Sequence, residues 1–325
     1  MALELVTIGE LLIDLTQIGV NEAGVKVLAA NPGGAPANVA VAASRLGVQA
    51  AFIGCVGDDA FGNTLRETLE NDRVDTSGLC VSDQVSTTLA VVTVNEAGER
   101  DFTFYRNPGA DLCLTRESIP DSLLKTAPIL HFGSVSLTAD PARTATLEAV
   151  RDAKSHGALI TYDPNYRPAL WGSRETAVEW MRKPLPLVDI LKISDEETEL
   201  LSGHSDPAAA AEKLGKDGIP LVLVTLGADG VYYRYDPAGT TDAASVLTGT
   251  VPGFSVKVAD TNGAGDTFFG AFLSKVCRRE DGIQSFPVEE LEEALRFANR
   301  AASLTTSRPG AIPAMPTLDE VSLCN

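Results

Sequence analysis

Short apolar runs rich in β-branched residues alternate along this chain with longer amphipathic segments, and this alternation is the strongest constraint on its fold. The apolar runs predict strands at residues 5–8, 50–55, 129–132, 158–162, 190–193 and 220–225. The amphipathic segments predict helices at residues 37–46, 62–71, 142–156, 175–181 and 208–214. Together they predict an α/β fold with a mostly parallel sheet, helices on both faces, and ligands bound beyond the carboxyl ends of the strands.

Two segments, at about residues 12–30 and 86–106, instead alternate polar and apolar residues, which is typical of half-exposed strands. The second folds back at Asn95-Glu96-Ala97-Gly98, which is typical of a hairpin turn. We expect a small β lid whose edges are covered by closure over a site or by a second subunit. Because no Pro/Gly/Ser-rich linker, charge block or repeat divides the chain, we expect a single domain over residues 1–325.

The composition excludes several classes of partner. With 44% hydrophobic and 22% charged residues, the chain has the composition of a globular enzyme. Its 26 Lys+Arg against 44 Asp+Glu give a formal net charge of −18, which repels nucleic acid and anionic membrane surfaces. An anionic nucleotide can still bind where backbone amides and a metal ion compensate its charge locally.

The cysteines argue against disulfides and structural zinc, because they are five in number, scattered, and never arranged as C-x-x-C. The amino terminus lacks a basic segment and carries Glu4, Glu10 and Asp14, which are not typical of a signal peptide. No segment reaches the roughly 18 apolar residues of a membrane span. We therefore expect a cytoplasmic protein without a membrane partner.

The segment at residues 258–272 is a glycine-rich turn, Asp260-Thr261-Asn262-Gly263-Ala264-Gly265-Asp266, that runs directly into an apolar helix. The first amides of a helix are unpaired and lie at the positive end of its dipole, so the Gly263, Ala264 and Gly265 amides can hold phosphate charge. The same field favours the ionised form of Asp266, which can then deprotonate a hydroxyl. The alternative is a helix start in which Asp266 only complements the dipole.

A second run of small residues, Asn31-Pro32-Gly33-Gly34-Ala35-Pro36-Ala37-Asn38, also leads into a helix. A polyol lying on Gly33 and Gly34 could exchange hydrogen bonds with the Asn38 amide, which both donates and accepts. The alternative is a tight turn with a proline near the helix start.

These two runs resemble the signatures of the PfkB, or ribokinase, family of carbohydrate kinases. Residues 260–266 match every fixed position of the carboxy-terminal signature D-T-x-G-A-G-D. The resemblance extends over essentially the whole chain and implies a ribokinase-like fold and an ATP-dependent sugar kinase. It makes Asp266 the catalytic base, the 263–265 amides an anion hole, and Asp14, Gly33, Gly34 and Asn38 sugar ligands.

The resemblance also assigns ATP, with Mg²⁺, to a second group of residues. Ser194 and Glu197 stand where the family has an N-x-x-E element, with Ser194 in place of the Asn, and Thr225, Gly227 and Gly230 form its T-x-G-x-x-G turn. Asn299 stands where the family contacts adenine. The alternatives are an acidic helix start at 195–197 and a strand-to-strand turn at 225–230.

A monovalent cation, with potassium as the candidate, is a further implication of the resemblance. The tail at 307–311 resembles the end of the family's cation loop, and the expected ligands are Asp260, Asn262, Thr305 and Gly310. Ala314 stands where some relatives have a hydroxyl ligand.

Three segments narrow the choice of sugar substrate, namely residues 102–111, residues 163–171 and Gly9-Glu10. Together they look most like the fructokinases of this family. The resemblance makes Arg106 and Arg167 substrate ligands, predicts phosphorylation of fructose at O6, and favours a homodimer formed through the lid. A 2-keto-3-deoxygluconate kinase remains the alternative, since such enzymes use arginines against a carboxylate. An alternative of another class is a non-catalytic sugar-binding or regulatory protein on the same scaffold.

Other sites are excluded or disfavoured by missing motifs. The chain has no G-x-x-x-x-G-K-[ST] sequence, which excludes a P-loop enzyme, and no G-x-G-x-x-G after its first strand, which disfavours a nicotinamide enzyme. His131, His156 and His204 lack metal-ligand spacing and are expected to be structural or surface residues.

Overall fold

The computed structural model describes residues 2–94, 100–237, 245–279 and 282–323. Its strands, in chain order, are β1 (Leu5–Ile8), β2 (Leu12–Val20), β3 (Lys26–Gly33), β4 (Ala50–Gly57), β5 (Asp75–Ser82), β6 (Leu89–Val94), β7 (Arg100–Tyr105), β8 (Ile129–Gly133), β9 (Leu159–Asp163), β10 (Ile190–Ser194), β11 (Leu221–Thr225), β12 (Val231–Tyr235) and β13 (Leu247–Val251). Its α-helices are α1 (Ala35–Arg45), α2 (Ala60–Asn71), α3 (Asp121–Thr126), α4 (Ala142–Ser155), α5 (Arg174–Arg182), α6 (Thr198–Ser202), α7 (Pro207–Lys216), α8 (Ala264–Val276), α9 (Val288–Thr306) and α10 (Leu318–Leu323).

The main sheet has nine strands in the order β13-β12-β11-β10-β9-β8-β1-β4-β5. The strands from β11 to β5 pair in parallel, whereas β12 and β13 add an antiparallel edge. Each predicted strand run coincides with one of the parallel strands, and the predicted α/β fold with a mostly parallel sheet is confirmed. The antiparallel edge was not predicted, because β12 follows β11 directly through the turn at residues 227–230 without an intervening helix.

Helices cover both faces of this sheet, as predicted. Successive residues of one strand point to opposite faces, so Leu5 belongs to the buried cluster that contains residues of α1, α8 and α9, while Val6 belongs to the one that contains residues of α3, α4 and α7. Burial on both faces explains why the strands read as continuous apolar runs. None of the described helices is both long enough and apolar enough to cross a bilayer.

A second sheet, with the order β3-β2-β6-β7, corresponds to the predicted lid. In it β2 pairs antiparallel with β3 and parallel with β6, and β6 pairs antiparallel with β7. The predicted turn at 95–98 lies outside the described residues. Strand β3 continues to Gly33, so residues 31–33 are part of the lid and not of a turn, because Pro32 and Gly33 are paired with Ile13 and Leu12.

Helices α1 and α8 pack closely where Gly270 meets the middle of α1. A β-carbon placed on Gly270 would lie 2.7 Å from Ala42 Cβ and 2.8 Å from the Val39 carbonyl oxygen. Only a residue without a side chain allows this approach. The contact brings the amino-terminal ends of both helices to one place above the sheet.

Candidate active site

A pocket lies beyond the carboxyl ends of β1, β8 and β9. Its wall is formed by Glu10, Leu12, Asp14, Gly34, Ala35, Asn38, Phe104, Val135, Asn165, Arg167, Asn262 and Asp266. The structure therefore brings together six of the residues predicted from the sequence, namely Asp14, Gly34, Asn38, Arg167, Asn262 and Asp266. Leu12, Asp14 and Phe104 belong to the second sheet, so that sheet borders the pocket as a lid would.

Asp266 lies in the first turn of α8 and is buried. Its Oδ2 accepts a hydrogen bond of 2.8 Å from Asn38 Nδ2, and its Oδ1 accepts one of 3.4 Å from Asn165 Nδ2. Burial raises the pKa of Asp266 above its ordinary value, although the Asn38 amide and the charge of Lys192 oppose that rise. The sequence predicted the opposite direction from the helix dipole, because it could not reveal how deeply the carboxylate is buried.

The turn before α8 has the features expected of an anion-binding helix start. Gly263 caps the helix in the left-handed region at φ 73°, a conformation that favours glycine. A β-carbon on Gly265 would lie 3.0 Å from Lys192 Nζ, so this glycine leaves room for a buried cation beside the turn. The Ala264 amide donates a long hydrogen bond of 3.4 Å to the Thr261 carbonyl oxygen.

The two glycines before α1 make room for polar groups of the pocket. A β-carbon on Gly33 would lie 2.4 Å from Asp14 Oδ2, and one on Gly34 would lie 2.3 Å from the Glu10 carbonyl oxygen. Gly34 also has φ 115°, which side chains rarely allow. Asn38, one turn into α1, keeps its Oδ1 buried without a hydrogen-bond partner among the described residues.

The two predicted arginine ligands have different surroundings. Arg106 forms an ion pair of 2.6 Å with Asp111 and donates hydrogen bonds to Thr138 Oγ1 at 2.7 Å and to the Val135 carbonyl oxygen at 3.1 Å. Arg167 lines the pocket, and its Nη1 donates to the main-chain oxygen of Tyr166 at 3.2 Å. The guanidinium of Arg106 is thus held by protein groups, whereas that of Arg167 borders the pocket.

Sequence reasoning assigned no role to Lys192, which lies in β10 and is buried under the turn before α8. Its Nζ donates a hydrogen bond of 2.8 Å to Asp163 Oδ2, at the end of β9. Burial acts against its charge, but the carboxylates of Asp163, Glu197 and Asp266 outweigh it and raise the pKa of Lys192. The available signal was one lysine within an otherwise apolar strand.

Glu197 uses both carboxylate oxygens to hold main chain at the end of β10. Its Oε1 accepts from the Tyr166 amide at 2.6 Å, and its Oε2 accepts from the Ser194 amide at 2.8 Å and from Ser194 Oγ at 3.1 Å. The arrangement is a capping box, which agrees with the alternative of an acidic helix start at 195–197. It nevertheless fixes Glu197 beside Asp163.

The other predicted nucleotide residues meet at the antiparallel edge of the main sheet. The turn from Gly227 to Gly230 joins β11 to β12, and a β-carbon on Gly230 would lie 2.1 Å from the Val251 carbonyl oxygen. Asn299 of α9 donates from Nδ2 to that same oxygen and to the Pro252 carbonyl oxygen, each at 3.1 Å. Thr225 Oγ1 donates to the Ile193 carbonyl oxygen at 3.3 Å.

The candidate cation residues are gathered only in part. Asp260 accepts hydrogen bonds from the Asn262 amide at 2.7 Å and from the Gly310 amide at 3.0 Å, which brings the tail against the turn before α8. Thr305 instead donates to Thr267 Oγ1 at 3.0 Å, between α9 and α8. Among the described residues, no three His, Cys, Asp or Glu side chains are arranged to hold a metal ion.

His131 is a structural residue of the core. It is buried in β8, its Nδ1 lies 3.1 Å from Thr161 Oγ1, and its ring contacts the Phe269 ring edge-on at 5.1 Å. Burial lowers the pKa of His131 to about 3, so it is neutral at physiological pH. This agrees with the structural role predicted from its isolated position.

The model of the pfkB family carbohydrate kinases matches residues 2–318. The chain belongs to this family. It is 44% identical over 320 residues to Fructokinase-1 of Zea mays, covering 97% of this chain and 95% of that protein. Fructokinase from Xylella fastidiosa with bound ATP superposes with a TM-score of 0.88 at 35% identity, covering 98% and 97% of the two chains. Fructokinase from Vibrio cholerae O395 in its fructose, ADP and calcium ion bound form gives 0.86 at 33% identity, covering 98% of each.

Proposed function

We propose that this pfkB family kinase is an ATP-dependent fructokinase that transfers the γ-phosphoryl group of ATP to O6 of fructose. The observation that carries the proposal is the contact between Asp266 and Asn38, which joins the start of α8 to the start of α1 inside one polar pocket. The full-length similarity to fructokinases of Zea mays and Xylella fastidiosa supports fructose as the acceptor.

In the proposed reaction Asp266 accepts the proton of the attacking hydroxyl. Burial raises the pKa of Asp266 and so makes its carboxylate a stronger base, and the Asn38 amide fixes the orientation of that carboxylate. Charge that develops on the transferred phosphoryl group faces the 263–265 amides, with the Lys192 ammonium close behind Gly265. Closure of the lid would exclude water and so protect ATP from hydrolysis.

The residues present also fit the Mg²⁺ that accompanies ATP. Magnesium prefers carboxylate oxygens and retains several waters, and Asp163 and Glu197 are neighbouring buried carboxylates near the start of α8. They would hold the ion through its waters, and the ion would neutralise charge on the phosphates. We propose Ser194, Thr225, Gly227, Gly230 and Asn299 as the nucleotide side of the site.

The environment of Arg106 disfavours this residue as the partner of a substrate carboxylate. Binding a carboxylate substrate would require a guanidinium with donors to spare. Arg106 already contacts Asp111, Thr138 and the Val135 carbonyl oxygen, and the pocket itself contains Asp14 and Asp266. We therefore assign Arg106 to holding the pocket wall and Arg167 to substrate contact.

The test is a coupled ADP-release assay with fructose, 2-keto-3-deoxygluconate, ribose and nucleosides, with carbon NMR of the product. Fructose should give the largest kcat/KM, and the phosphate should be found on O6. A larger kcat/KM for 2-keto-3-deoxygluconate would overturn the choice of sugar. Fructose binding without any sugar-dependent ADP release would instead support a non-catalytic sugar-binding protein.

We also propose a homodimer formed through the lid. Strands β2 and β3 expose apolar side chains, including Ile18 at 66% and Val20 at 57%, which a second copy would cover. Light scattering should give the mass of a dimer for the wild type and of a monomer for Ile18→Glu. Val81→Glu, on the main sheet, is the matched control and should stay dimeric; a monomeric wild type would overturn the proposal.

Potassium is the proposed monovalent cation, held near the Asp260 turn and the tail with Asn262, Thr305 and Gly310 as candidate ligands. The hydrogen bonds from Asn262 and Gly310 to Asp260 support a fixed loop there. Replacing potassium by tetramethylammonium at constant ionic strength should lower kcat. An unchanged kcat would remove the cation from the proposal.

A further inference from the structure

Glu10 is a buried carboxyl group of the pocket wall to which the reaction assigns no role. It follows strand β1, is 3% exposed, and its Oε1 accepts a hydrogen bond of 2.8 Å from the amide of Ala35, the first residue of α1. Its Oε2 is sealed from solvent and has no hydrogen-bond partner in the described part of the chain. A carboxylate oxygen in that situation is costly to keep ionised.

A second orphaned oxygen lies on the same face of α1. Ala35 and Asn38 are three residues apart, so they occupy neighbouring positions along one side of the helix. Helical side chains generally lean towards the amino terminus of their helix, and the turn on that side of Asn38 contains Ala35, whose amide binds Glu10. Asn38 Oδ1 is buried without a donor, while its Nδ2 already binds Asp266.

The charged groups around Glu10 also disfavour its ionised form. Asp14 of β2, Asp266 of α8 and the cation Arg167 line the same pocket as Glu10. Besides burial, the charge of Asp111 raises the pKa of Glu10, and that of Arg106 lowers it by less. The guanidinium of Arg106 is paired with Asp111. Burial raises the pKa of Glu10 to about 7, with the amides of Glu10 itself and Ala35 acting in the opposite direction.

We propose that Glu10 acts as a neutral carboxylic acid that positions Asn38, and that its ionisation weakens sugar binding. One proton on Oε2 supplies the donor that Asn38 Oδ1 lacks, and so extends a chain of hydrogen bonds from Ala35 through Glu10 and Asn38 to Asp266. Ionisation removes that donor and adds a negative charge beside Asp14. Because Oε2 is sealed, a bound sugar hydroxyl cannot compensate the charge, and exclusion of water by the sugar makes the charge less favourable still.

The sign of the pH dependence follows from this linkage. If the complex requires the proton, the dissociation constant of the sugar rises as pH passes above the pKa of free Glu10, by up to about tenfold per pH unit. The proposal rests on the proposed function for the choice of fructose as ligand. Glu10 is a positioning residue, since it acts through Asn38 and contacts no reacting atom.

The experiment is calorimetric titration of fructose without nucleotide from pH 6 to pH 9, which removes the titration of ATP itself. The wild type should bind fructose at least about tenfold more weakly at pH 9 than at pH 7. Glu10→Gln keeps an oxygen for the Ala35 amide and offers a permanent donor to Asn38. Its pH dependence should disappear, and at pH 9 it should bind fructose more tightly than the wild type.

Glu4→Gln is the matched control, because Glu4 also accepts a main-chain hydrogen bond, from the Gln49 amide at 2.8 Å, but lies at the opposite end of β1. It should show the wild-type profile. A pH-independent wild type, or a Glu10→Gln variant that retains the wild-type profile, would overturn the proposal. If fructose fails to bind at all, the proposed function fails instead, and the same variants are titrated with the sugar that the ADP-release assay identifies.

Discussion

The proposed sugar half and the proposed nucleotide half of the site are built from different kinds of contact. In the sugar half, Asp14, Asn38 and Asp266 are buried polar side chains that meet across separate elements, and Asn38 keeps an acceptor without a partner. In the nucleotide half, Glu197 accepts hydrogen bonds from main-chain amides, and Asn299 donates to main-chain carbonyl oxygens. In the first half, the polar groups proposed to bind the sugar are buried and, within the part of the chain that the structure describes, partly without hydrogen-bond partners, which lowers stability. In the second half, the side chains proposed to bind the nucleotide also stabilise the main chain.

The largest expected effect is on turnover, from Asp266→Asn. Removing a general base typically costs about 10² to 10⁴ in rate, and kcat should fall by that factor. An asparagine oxygen can still accept from Asn38, so fructose affinity and the urea midpoint should change little. ADP release and urea unfolding provide the two measurements.

Asp121→Asn is the control for this variant, because Asp121 also lies in the first turn of a helix but is far from the pocket. It should leave kcat unchanged. Near-normal kcat for Asp266→Asn would show that the sugar half lacks the base assigned to it.

Breaking the buried pair of Lys192 and Asp163 should have the largest effect on stability. Lys192→Met leaves Asp163 buried without its cation, which should lower the free energy of unfolding by about 3 to 5 kcal/mol. Lys213→Met removes the exposed pair with Asp217 and should cost under about 1 kcal/mol. Equal costs for the two variants in urea unfolding would contradict the contrast between a buried and an exposed pair.

In the nucleotide half, Gly230→Ala should lower stability and ATP affinity together. Residue 230 has φ 98°, and its new β-carbon would clash with the Val251 carbonyl oxygen. Backbone strain and clash together should lower the free energy of unfolding by about 2 to 4 kcal/mol. Gly218→Ala is the control, because Gly218 has a similar φ of 109° but open space around it. Its effect on the free energy of unfolding should be smaller and should reflect backbone strain alone. Unfolding and the KM for ATP are the measurements, and a Gly230→Ala protein with wild-type stability would remove the distinction between the halves.

The smallest effect, expressed per unit of pH, concerns acid stability under α8. His131 stays neutral in the folded protein but takes up a proton below about pH 6.5 when unfolded, so acid favours the unfolded state. The free energy of unfolding should fall by up to about 1.4 kcal/mol per pH unit below that value, and His131→Gln should reduce this slope. His204→Gln, at an exposed position, should keep it; an identical slope in both variants would show that His131 is not the group responsible.

The fold was predictable because every parallel strand except the edge strand β5 is buried on both faces and reads as an apolar run. The end of β3 was not, since Pro32 and Gly33 suggest a turn and only pairing with β2 reveals a strand. The helix starts that carry Asn38 and Asp266 were found from local motifs. The roles of Lys192 and Glu10 depend on neighbours distant in the chain, namely Asp163 and Ala35, which no local pattern contains.

Gly270, where α1 and α8 touch, lies outside the lid and sets how closely these two helices approach each other. Asp266 lies one turn before Gly270 on α8, and Asn38 lies one turn before Ala42 on α1, so the helix contact sets the spacing of the catalytic pair. A residue with a side chain at position 270 would push the two helices apart, and would thereby separate the proposed base from the amide that orients it.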